Sequence, residues 1–345
     1  MISGIFRLMT KRRRSIRIFL LGGLGNQLFG VFFYHALKVA FPGRVVATNR
    51  LIPFGSNPTR VLIADKIPET KFEEIELIRS ARFLDHTISN SRIGRRVVWK
   101  YYNFISPGKR IKLQDFWELK KFPEYRVDIV DYCDDWFFPE YVKKNRAIDF
   151  SPTEYKLEQR DYENYVLNGI VCHVRVGDYL DHPEKHKLLD ERYYLSAIKS
   201  ITKENKQCSE LILVIAENVS EVRQYYPNLA NLSSRIIGKS DLDSDLQAFN
   251  IMRSATNLVA ANSTFSMWAA WFGLYARKRT LVPYVFPGDN PQSGLRELKW
   301  EVLNPIDGGI VEKHKFEPWF QEKENRFLEI MSRVQRTETG ASANY

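Results

Sequence analysis

The chain has 345 residues, enough for two domains of ordinary size. With 44% hydrophobic and 27% charged residues, it is excluded from the disordered class and reads as a soluble globular protein. A formal net charge of +10 calls for an anionic partner, but no DNA- or RNA-binding signature accompanies it, so nucleic acid is set aside. The three cysteines (Cys133, Cys172, Cys208) are odd in number and lack metal-ligand spacing, which fits a reducing compartment without a disulfide framework.

In chain order, residues 1–15 form a basic leader expected to be disordered, with Lys11–Arg14 at its end. The apolar run that follows superficially resembles a signal peptide. Gln27, His35 and Lys38 interrupt it, so neither a secretory leader nor a membrane span is expected, and a cytoplasmic location is. The run reads instead as a strand (Ile16–Leu21), a glycine turn (Gly22, Gly23, Gly25) and a helix from about Asn26. A strand at Arg44–Thr48 comes next, then an irregular, aromatic half, and the first domain is set at 16–150. The polar stretch Ser151–Asn164 is expected to link the domains through a helix. The second domain, 165–310, alternates strands and helices, which predicts a parallel sheet covered on both faces. Its strands are read at Ile170–Val174, Leu211–Ala216, Arg235–Ile237, Leu258–Ala261 and Thr280–Val285. Helices are expected at Arg192–Asn205, Val219–Tyr226, Ser244–Ser254 and Thr264–Ala276. A C-terminal helix, amphipathic over Trp319–Val334, is placed within 311–336 and is followed by a flexible tail.

Residues 170–179, IVCHVRVGDY, carry the strongest chemical signal. The stretch 165–172 is apolar and β-branched enough to enter a sheet, and polarity switches abruptly at His173, Arg175 and Asp178. Ligands of open α/β sheets sit beyond the carboxyl ends of parallel strands. Arg175 offers a planar fork suited to a phosphate, Asp178 can orient that fork, and His173 can reach a base or sugar edge. A strand ending in a solvated turn with a local ion pair explains the same pattern. Two further segments add weight. The turn at Gly22–Gly25 permits close backbone approach, and the helix start behind it presents free N–H groups. Asn262, Ser263 and Thr264 are N-cap residue types before a Trp- and Ala-rich helix, where a phosphate can also sit, although good capping alone accounts for them.

Together the three segments resemble the alpha-1,2-fucosyltransferases of glycosyltransferase family 11, in the bacterial form. That family carries GGLGNQLF, HxRRxDY and NSTFSxWAAW in this order. Here they stand at Gly22–Phe29, His173–Tyr179 and Asn262–Trp271. The resemblance implies a GT-B-type α/β fold, two facing α/β domains with parallel sheets. It implies inverting transfer of L-fucose from GDP-fucose, a donor substrate and not a cofactor, to the 2-hydroxyl of a terminal galactoside, with no metal. Arg175, Asp178 and Asn26 are then the catalytic candidates. His173, Arg175, Gly23, Gly25, Asn26, Gln27, Glu217, Asn262, Ser263, Thr264 and Ser266 are the candidates for nucleotide-sugar binding. The acceptor is a surface glycan, lipid-linked in one version. The basic segments Lys11–Arg17 and Arg92–Lys121 would then rest on the anionic inner face of a membrane, although a solvated basic face explains the charge equally.

The departures from the pattern bear on the donor. Val176 replaces the second Arg of HxRRxDY, and Glu217–Asn218 stand where an acidic pair is usual. In the wider superfamily an acidic residue near that place reads the guanine edge, a role open to Glu217. Ser254 and Asn257 occupy places where many members have Cys and His. A transferase of the same fold with another nucleotide sugar, or a degenerate glycan- or nucleotide-binding protein, therefore stays open. A dehydrogenase is excluded: Leu28 stands where the dinucleotide fingerprint needs a third small residue, and Asn49–Arg50 where it needs an acid. His182 and His186 flank Glu184, but Pro183 makes a continuous zinc-binding helix unlikely on steric grounds, and the order H-E-x-x-H is absent. The catalytic base is not chosen by the sequence: Asp178, Asp181 and Glu184 are all candidates. Acceptor recognition is expected in the aromatic stretches Trp99–Phe104 and Tyr132–Tyr141, with Asp134 and Asp135 beside Trp136, unless those rings are core.

Overall fold

A computed structural model describes residues 16–20, 22–40, 46–49, 64, 67, 109–119, 127–129, 135–148, 160–181, 188–273, 279–284, 300–311 and 316–342. The chain divides into two compact units, Met1–Phe150 with Glu317–Tyr345, and Ser151–Phe316. Each is described by itself.

In the first unit, strands β1 (Ile16–Phe19), β2 (Val46–Asn49), β3 (Lys109–Ile111) and β4 (Val127–Ile129) form a parallel sheet in the order β2-β1-β4-β3. Ile16 and Ile18 pair with Val127 and Ile129 across β1 and β4, and all four are buried. The helix that follows β1 spans Leu24–Ala40 and buries Leu28, Phe29, Phe32 and Phe33. It packs on the helix Phe137–Lys144, with Phe29 edge-on to Trp136 at 4.9 Å and Phe33 against Phe138 at 4.3 Å. The helix Phe316–Ser342 adds Phe327 to this cluster, 5.6 Å from Phe137 and 5.0 Å from Tyr141. Two ion pairs fasten it: Lys323 to the buried Asp135 at 2.6 Å, and Lys144 to Glu324 at 2.5 Å.

These contacts correct the expectation that Tyr132–Tyr141 recognises an acceptor. Trp136, Phe137, Phe138 and Tyr141 are core residues. The Asp135 carboxylate is committed to Lys323 and to the Phe137 N–H. Trp99–Phe104, Asp134 and the basic run Lys11–Arg14 lie outside the described residues.

The second unit holds a six-stranded parallel sheet in the order β10-β9-β8-β5-β6-β7. Its strands are β5 (Ile170–His173), β6 (Ile212–Ile215), β7 (Arg235–Ile237), β8 (Asn257–Val259), β9 (Arg279–Pro283) and β10 (Glu301–Leu303). β5 and β6 are buried along their whole length, the pattern of strands covered on both faces. Two tyrosines of the helix Glu191–Glu204 lie in the core. The Tyr193 hydroxyl donates to the Ala260 carbonyl at 2.7 Å, so its burial costs no unmet polar group.

Two local readings are corrected. Residues 165–168 are not strand but the end of a short helix, Glu163–Asn168. Gly169 then breaks it, because a side chain there would strike the Leu211 carbonyl oxygen at 2.3 Å. Pro227 does not merely end the helix Val219–Tyr225; it opens a second one, Pro227–Leu232, where its fixed φ suits a first helical position. The helix after β1 begins at Leu24, so Gly25 lies in its first turn, and of the three motif glycines Gly22 alone has positive φ.

Candidate active site

In the second unit the chain runs from β5 outward through β6 and β7, then returns to the other side of β5 as β8. The crevice beyond the carboxyl ends of β5 and β8 is therefore the topological switch point of the sheet, where such folds bind ligands. Two of the three sequence motifs arrive there. The segment after β5 carries His173–Tyr179, and the segment after β8 carries Asn262–Ser266. The Tyr179 hydroxyl donates to the Asn262 carbonyl at 2.7 Å and ties one motif to the other. Burial keeps that phenol protonated well above its usual range, so the tie holds at any physiological pH.

Arg175 is held from both sides. Its Nη2 donates to Asp178 Oδ1 at 2.6 Å and its Nη1 to Glu217 Oε2 at 2.9 Å. The guanidinium also lies 5.8 Å from the Tyr179 ring centre. Gly177, at φ +35°, lets the chain turn between these residues, and a side chain there would meet Glu217 Oε2 at 2.7 Å. The Gly177 N–H donates to Glu221 Oε2 at 3.1 Å. Two carboxylates thus grip one fixed cation, and a third holds the backbone of the neighbouring turn. With about a quarter of its side chain exposed, Arg175 remains reachable by an anion that displaces a carboxylate.

His173 closes β5. It is buried, and its Nδ1 has no hydrogen-bond partner among the described residues. Burial first, and then repulsion from Arg175, lower its pKa to about 3, so the ring is neutral. An unspent buried polar atom at the mouth of a crevice is uncommon in folded proteins and marks a place where a ligand can supply the partner. Val176, in the place of the second Arg, is 2% exposed and belongs to the hydrophobic core. Its side chain supports the sheet, and the position offers no second cation to the crevice.

The capping residues divide their tasks. Ser263 Oγ accepts the Phe265 N–H at 3.4 Å, capping the helix Thr264–Phe272. The buried Ser266 hydroxyl donates inward to the Ala261 and Ser263 carbonyls, both at 3.2 Å, and so has no hydrogen left for a phosphate. Thr264 is partly exposed at the helix start. Asn257 is structural: its amide donates to the Gly169 carbonyl at 3.0 Å.

The third motif lies in the first unit, at the carboxyl end of β1. Gln27 is 1% exposed, donates to the Gly22 carbonyl at 3.0 Å and accepts the Ala64 N–H at 3.2 Å. The amide thus braces the turn. Asn26, beside it, is partly exposed and makes no side-chain hydrogen bond among the described residues. Gly23 accepts the Gln27 N–H through its carbonyl, and Gly25 is buried in the helix. Asp181 is exposed at the end of the short helix Asp178–Asp181, while His182, Glu184 and His186 lie outside the described residues. Two contributors escaped the sequence reading. Glu221 had a signal, being an acid in the first turn of the helix after β6; the tie made by Tyr179 had none, since its partner is a backbone carbonyl distant in sequence.

Residues 157–291 match the model of glycosyl transferase family 11. The chain is similar to the O-antigen biosynthesis glycosyltransferase WbnK of Escherichia coli, at 23% identity over 301 residues, which cover 81% of this chain and 97% of that protein. It is also similar to an alpha-1,2-colitosyltransferase of Escherichia coli, at 27% identity over 154 residues, which cover 43% of this chain and 51% of that one. Among solved structures, the E. coli heptosyltransferase WaaC with ADP aligns over 90% of this chain and 99% of its own, at 12% identity and a TM-score of 0.41. A family 9 glycosyl transferase from Veillonella parvula aligns over 95% and 96%, at 11% identity and a TM-score of 0.43. Two α/β units on parallel sheets, with the matched segment built around the switch-point crevice, make the protein a glycosyltransferase of the α/β class. Within that class, residues 157–291 carry the likeness to glycosyl transferase family 11.

Proposed function

We propose that the protein moves L-fucose from GDP-fucose to the 2-hydroxyl of a terminal galactoside during surface glycan synthesis, with inversion and without a metal. The observation that carries the reading is the joining of two motifs at the switch-point crevice, where the arginine of one is tied through Tyr179 to the helix start of the other. In this reading Arg175 takes the β-phosphate, helped by the N–H groups at the start of the helix Thr264–Phe272 and by Ser263 and Thr264. The acceptor oxygen attacks the anomeric carbon from the face opposite the diphosphate. The bond from that carbon to the phosphate oxygen breaks, the GDP leaves with the electron pair, and a carboxylate takes the hydroxyl proton. Charge on the leaving diphosphate grows along this path, so a fixed cation there favours the transition state over the ground state.

The flanking groups gain roles from the same reading. His173 offers a neutral, unspent nitrogen to the base or sugar. Asn26 orients the sugar or the acceptor. Glu217 is the candidate for the guanine edge, which requires it to release Arg175 when the diphosphate arrives. Asp178 is bound to Arg175, so the proton acceptor is better sought at Asp181 or Glu184. The acceptor glycan is lipid-linked, and the protein works from the cytoplasmic side, held to an anionic membrane by its basic segments at about 1 kcal/mol per residue near the surface. Among the described residues no helix is long and apolar enough to cross a membrane. Salt-sensitive binding to anionic vesicles, absent on neutral ones, is the expected result; equal binding to both would remove the membrane from the proposal.

A second reading is favoured by one observation: a relative named for colitosyl transfer shares 27% of residues over 154 positions. The donor would then be a different nucleotide sugar. Purified protein incubated with a panel of nucleotide sugars and galactoside acceptors separates the cases. Turnover of GDP-fucose above all others is expected. Preference for another donor would replace the fucosyl assignment, and binding without turnover of any donor would favour a degenerate binding protein.

A further inference from the structure

At the other end of the second unit's sheet lies a hollow of about 450 Å³, beside the amino end of β7. The strands of this sheet are all parallel, so the hollow lies with the amino ends of the strands, whereas Arg175 lies at their carboxyl ends. Arg223 and Arg235 line it, with Asn231, Ser233 and Ser234, over a floor that includes Ala230. Arg223 is exposed in the last turn of the helix Val219–Tyr225. Arg235, the first residue of β7, stacks with its guanidinium carbon 4.7 Å from the Tyr162 ring centre. Neither arginine meets a carboxylate among the described residues. This sets them apart from Arg175 and Arg279, which are each paired with two acids.

The remaining groups narrow the chemistry. The Ser233 hydroxyl donates to the Leu229 carbonyl at 2.6 Å and the Ser234 hydroxyl to the Ile212 carbonyl at 3.0 Å. Their hydrogens are committed, so toward the hollow Ser233 can only accept. Asn231 is exposed and its amide can both give and accept. Two cationic forks therefore face an anion, while a hydroxyl oxygen and an amide face donors such as sugar hydroxyls. A bare oxyanion would use only the arginines; a neutral sugar would leave both unmatched.

We infer that this hollow is an accessory subsite for an acidic saccharide, a phosphorylated or carboxylated sugar, separate from the crevice where transfer occurs. The subsite would hold the charged portion of a glycan whichever sugar the crevice transfers, so its failure would leave the transfer reading standing. The test is calorimetric titration of the full chain at low ionic strength, where exposed cations are least screened. The probes are galactose 1-phosphate, galacturonate, neutral galactose and inorganic phosphate. Titrations are run on the unaltered chain and on Arg175→Ala, which lacks the crevice cation. Saturable one-to-one binding of either acidic sugar is expected to survive Arg175→Ala, with inorganic phosphate at least tenfold weaker and galactose silent. Arg223→Gln and Arg235→Gln should each weaken it tenfold or more. Arg235→Gln also removes the stack on Tyr162 and could disturb β7, so the exposed Arg223→Gln carries the test by itself. Binding that is unaffected by Arg223→Gln, absent for both acidic sugars, lost with Arg175→Ala, or equalled by inorganic phosphate would overturn the assignment.

Discussion

The two units use their motifs in opposite ways. In the first, the polar side chain of GGLGNQLF that looked most like a ligand, Gln27, is spent on the fold, and its amide staples a turn to a distant backbone N–H. In the second, the polar side chains of IVCHVRVGDY gather at the carboxyl end of a central strand, and Arg175 is held between Asp178 and Glu217. One motif supplies rigidity and the other supplies charge. A polar motif residue is thus assigned by where its hydrogen bonds end: inside the unit it supports structure, at a crevice among half-exposed acids it supports chemistry. Substitutions in the two motifs should separate along this line, with activity lost in one and stability in the other.

The largest effect is expected at Arg175. Arg175→Ala should lower kcat/KM on the best donor about a hundredfold or more, the scale for removing one preorganised donor from a developing charge. The melting temperature should move little, because a half-exposed ion pair contributes little to stability. Arg175→Lys should rescue poorly, since an ammonium cannot reproduce the fork. Steady-state kinetics beside a thermal melt read both quantities. Wild-type activity in the lysine variant would remove Arg175 from the phosphate.

The next effect is a pH slope in stability. The folded His173 has its pKa lowered to about 3, chiefly by burial, whereas an unfolded histidine titrates near 6.5. Above about pH 6.5 the ring is neutral in both states and contributes no slope. As the pH falls from there toward 3, the unfolded chain takes up a proton that the folded chain refuses. Stability should fall at about 1.4 kcal/mol per pH unit from this residue alone. Carboxylates also titrate below pH 5, so the measurement is the difference between wild type and His173→Gln in urea unfolding at pH 7, 6 and 5. Parallel curves would mean that His173 is solvated in the folded protein.

How much of this was legible in the sequence follows the same division. The second unit alternates short buried strands with helices whose starts carry Asp190, Asn218, Ser244 and Ser263, each of which accepts a hydrogen bond from the first turn. Periodicity and capping chemistry are local, and they placed these elements to within two residues, except that the last helix stops at Phe272 and not at Ala276. In the first unit long segments separate β2, β3 and β4, so no regular strand–helix alternation marks them. Its aromatic stretch around Trp136 was open to a sugar-binding or a core reading. Rings that stack on sugars and rings that pack in a core are the same rings, and their partners Phe29, Phe33 and Phe327, all about a hundred or more residues away, decide between them. At the site, the residue types of His173, Arg175 and Asp178 were readable, while the embrace of Arg175 by Glu217 was not. A pair separated by 42 positions depends on β5 and β6 lying side by side.

On the structural side of the comparison, Gln27→Ala should cost about 1–3 kcal/mol, the penalty for leaving buried partners unsatisfied. The Gly22 carbonyl and the Ala64 N–H would both lose their bonds. At a temperature where the variant remains folded, kcat should stay within about threefold of wild type, whereas Asn26→Ala should lower kcat with an unchanged melt. Differential scanning calorimetry paired with initial rates distinguishes them. A stable Gln27→Ala protein without activity would return Gln27 to the substrate and erase the contrast between the units.

The smallest effect, and the sharpest, lies at Glu217. Its carboxylate occupies one side of the Arg175 fork at 2.9 Å, and with Asp178 and Glu221 close by, an incoming diphosphate meets net negative charge. If Glu217 only stands in for the absent phosphate, Glu217→Gln removes a competitor. Pyrophosphate should then bind about two- to fivefold more tightly, the range set by an exposed ion pair, and the gain should shrink as salt screens the charges. If Glu217 instead holds Arg175 in place, the same substitution weakens pyrophosphate. For GDP the two roles oppose each other, since loss of the carboxylate frees Arg175 but removes a contact with the guanine edge. The ratio of GDP affinity to pyrophosphate affinity therefore isolates the base contact: it should fall in Glu217→Gln, and an unchanged ratio would remove Glu217 from base recognition while leaving its hold on Arg175 intact.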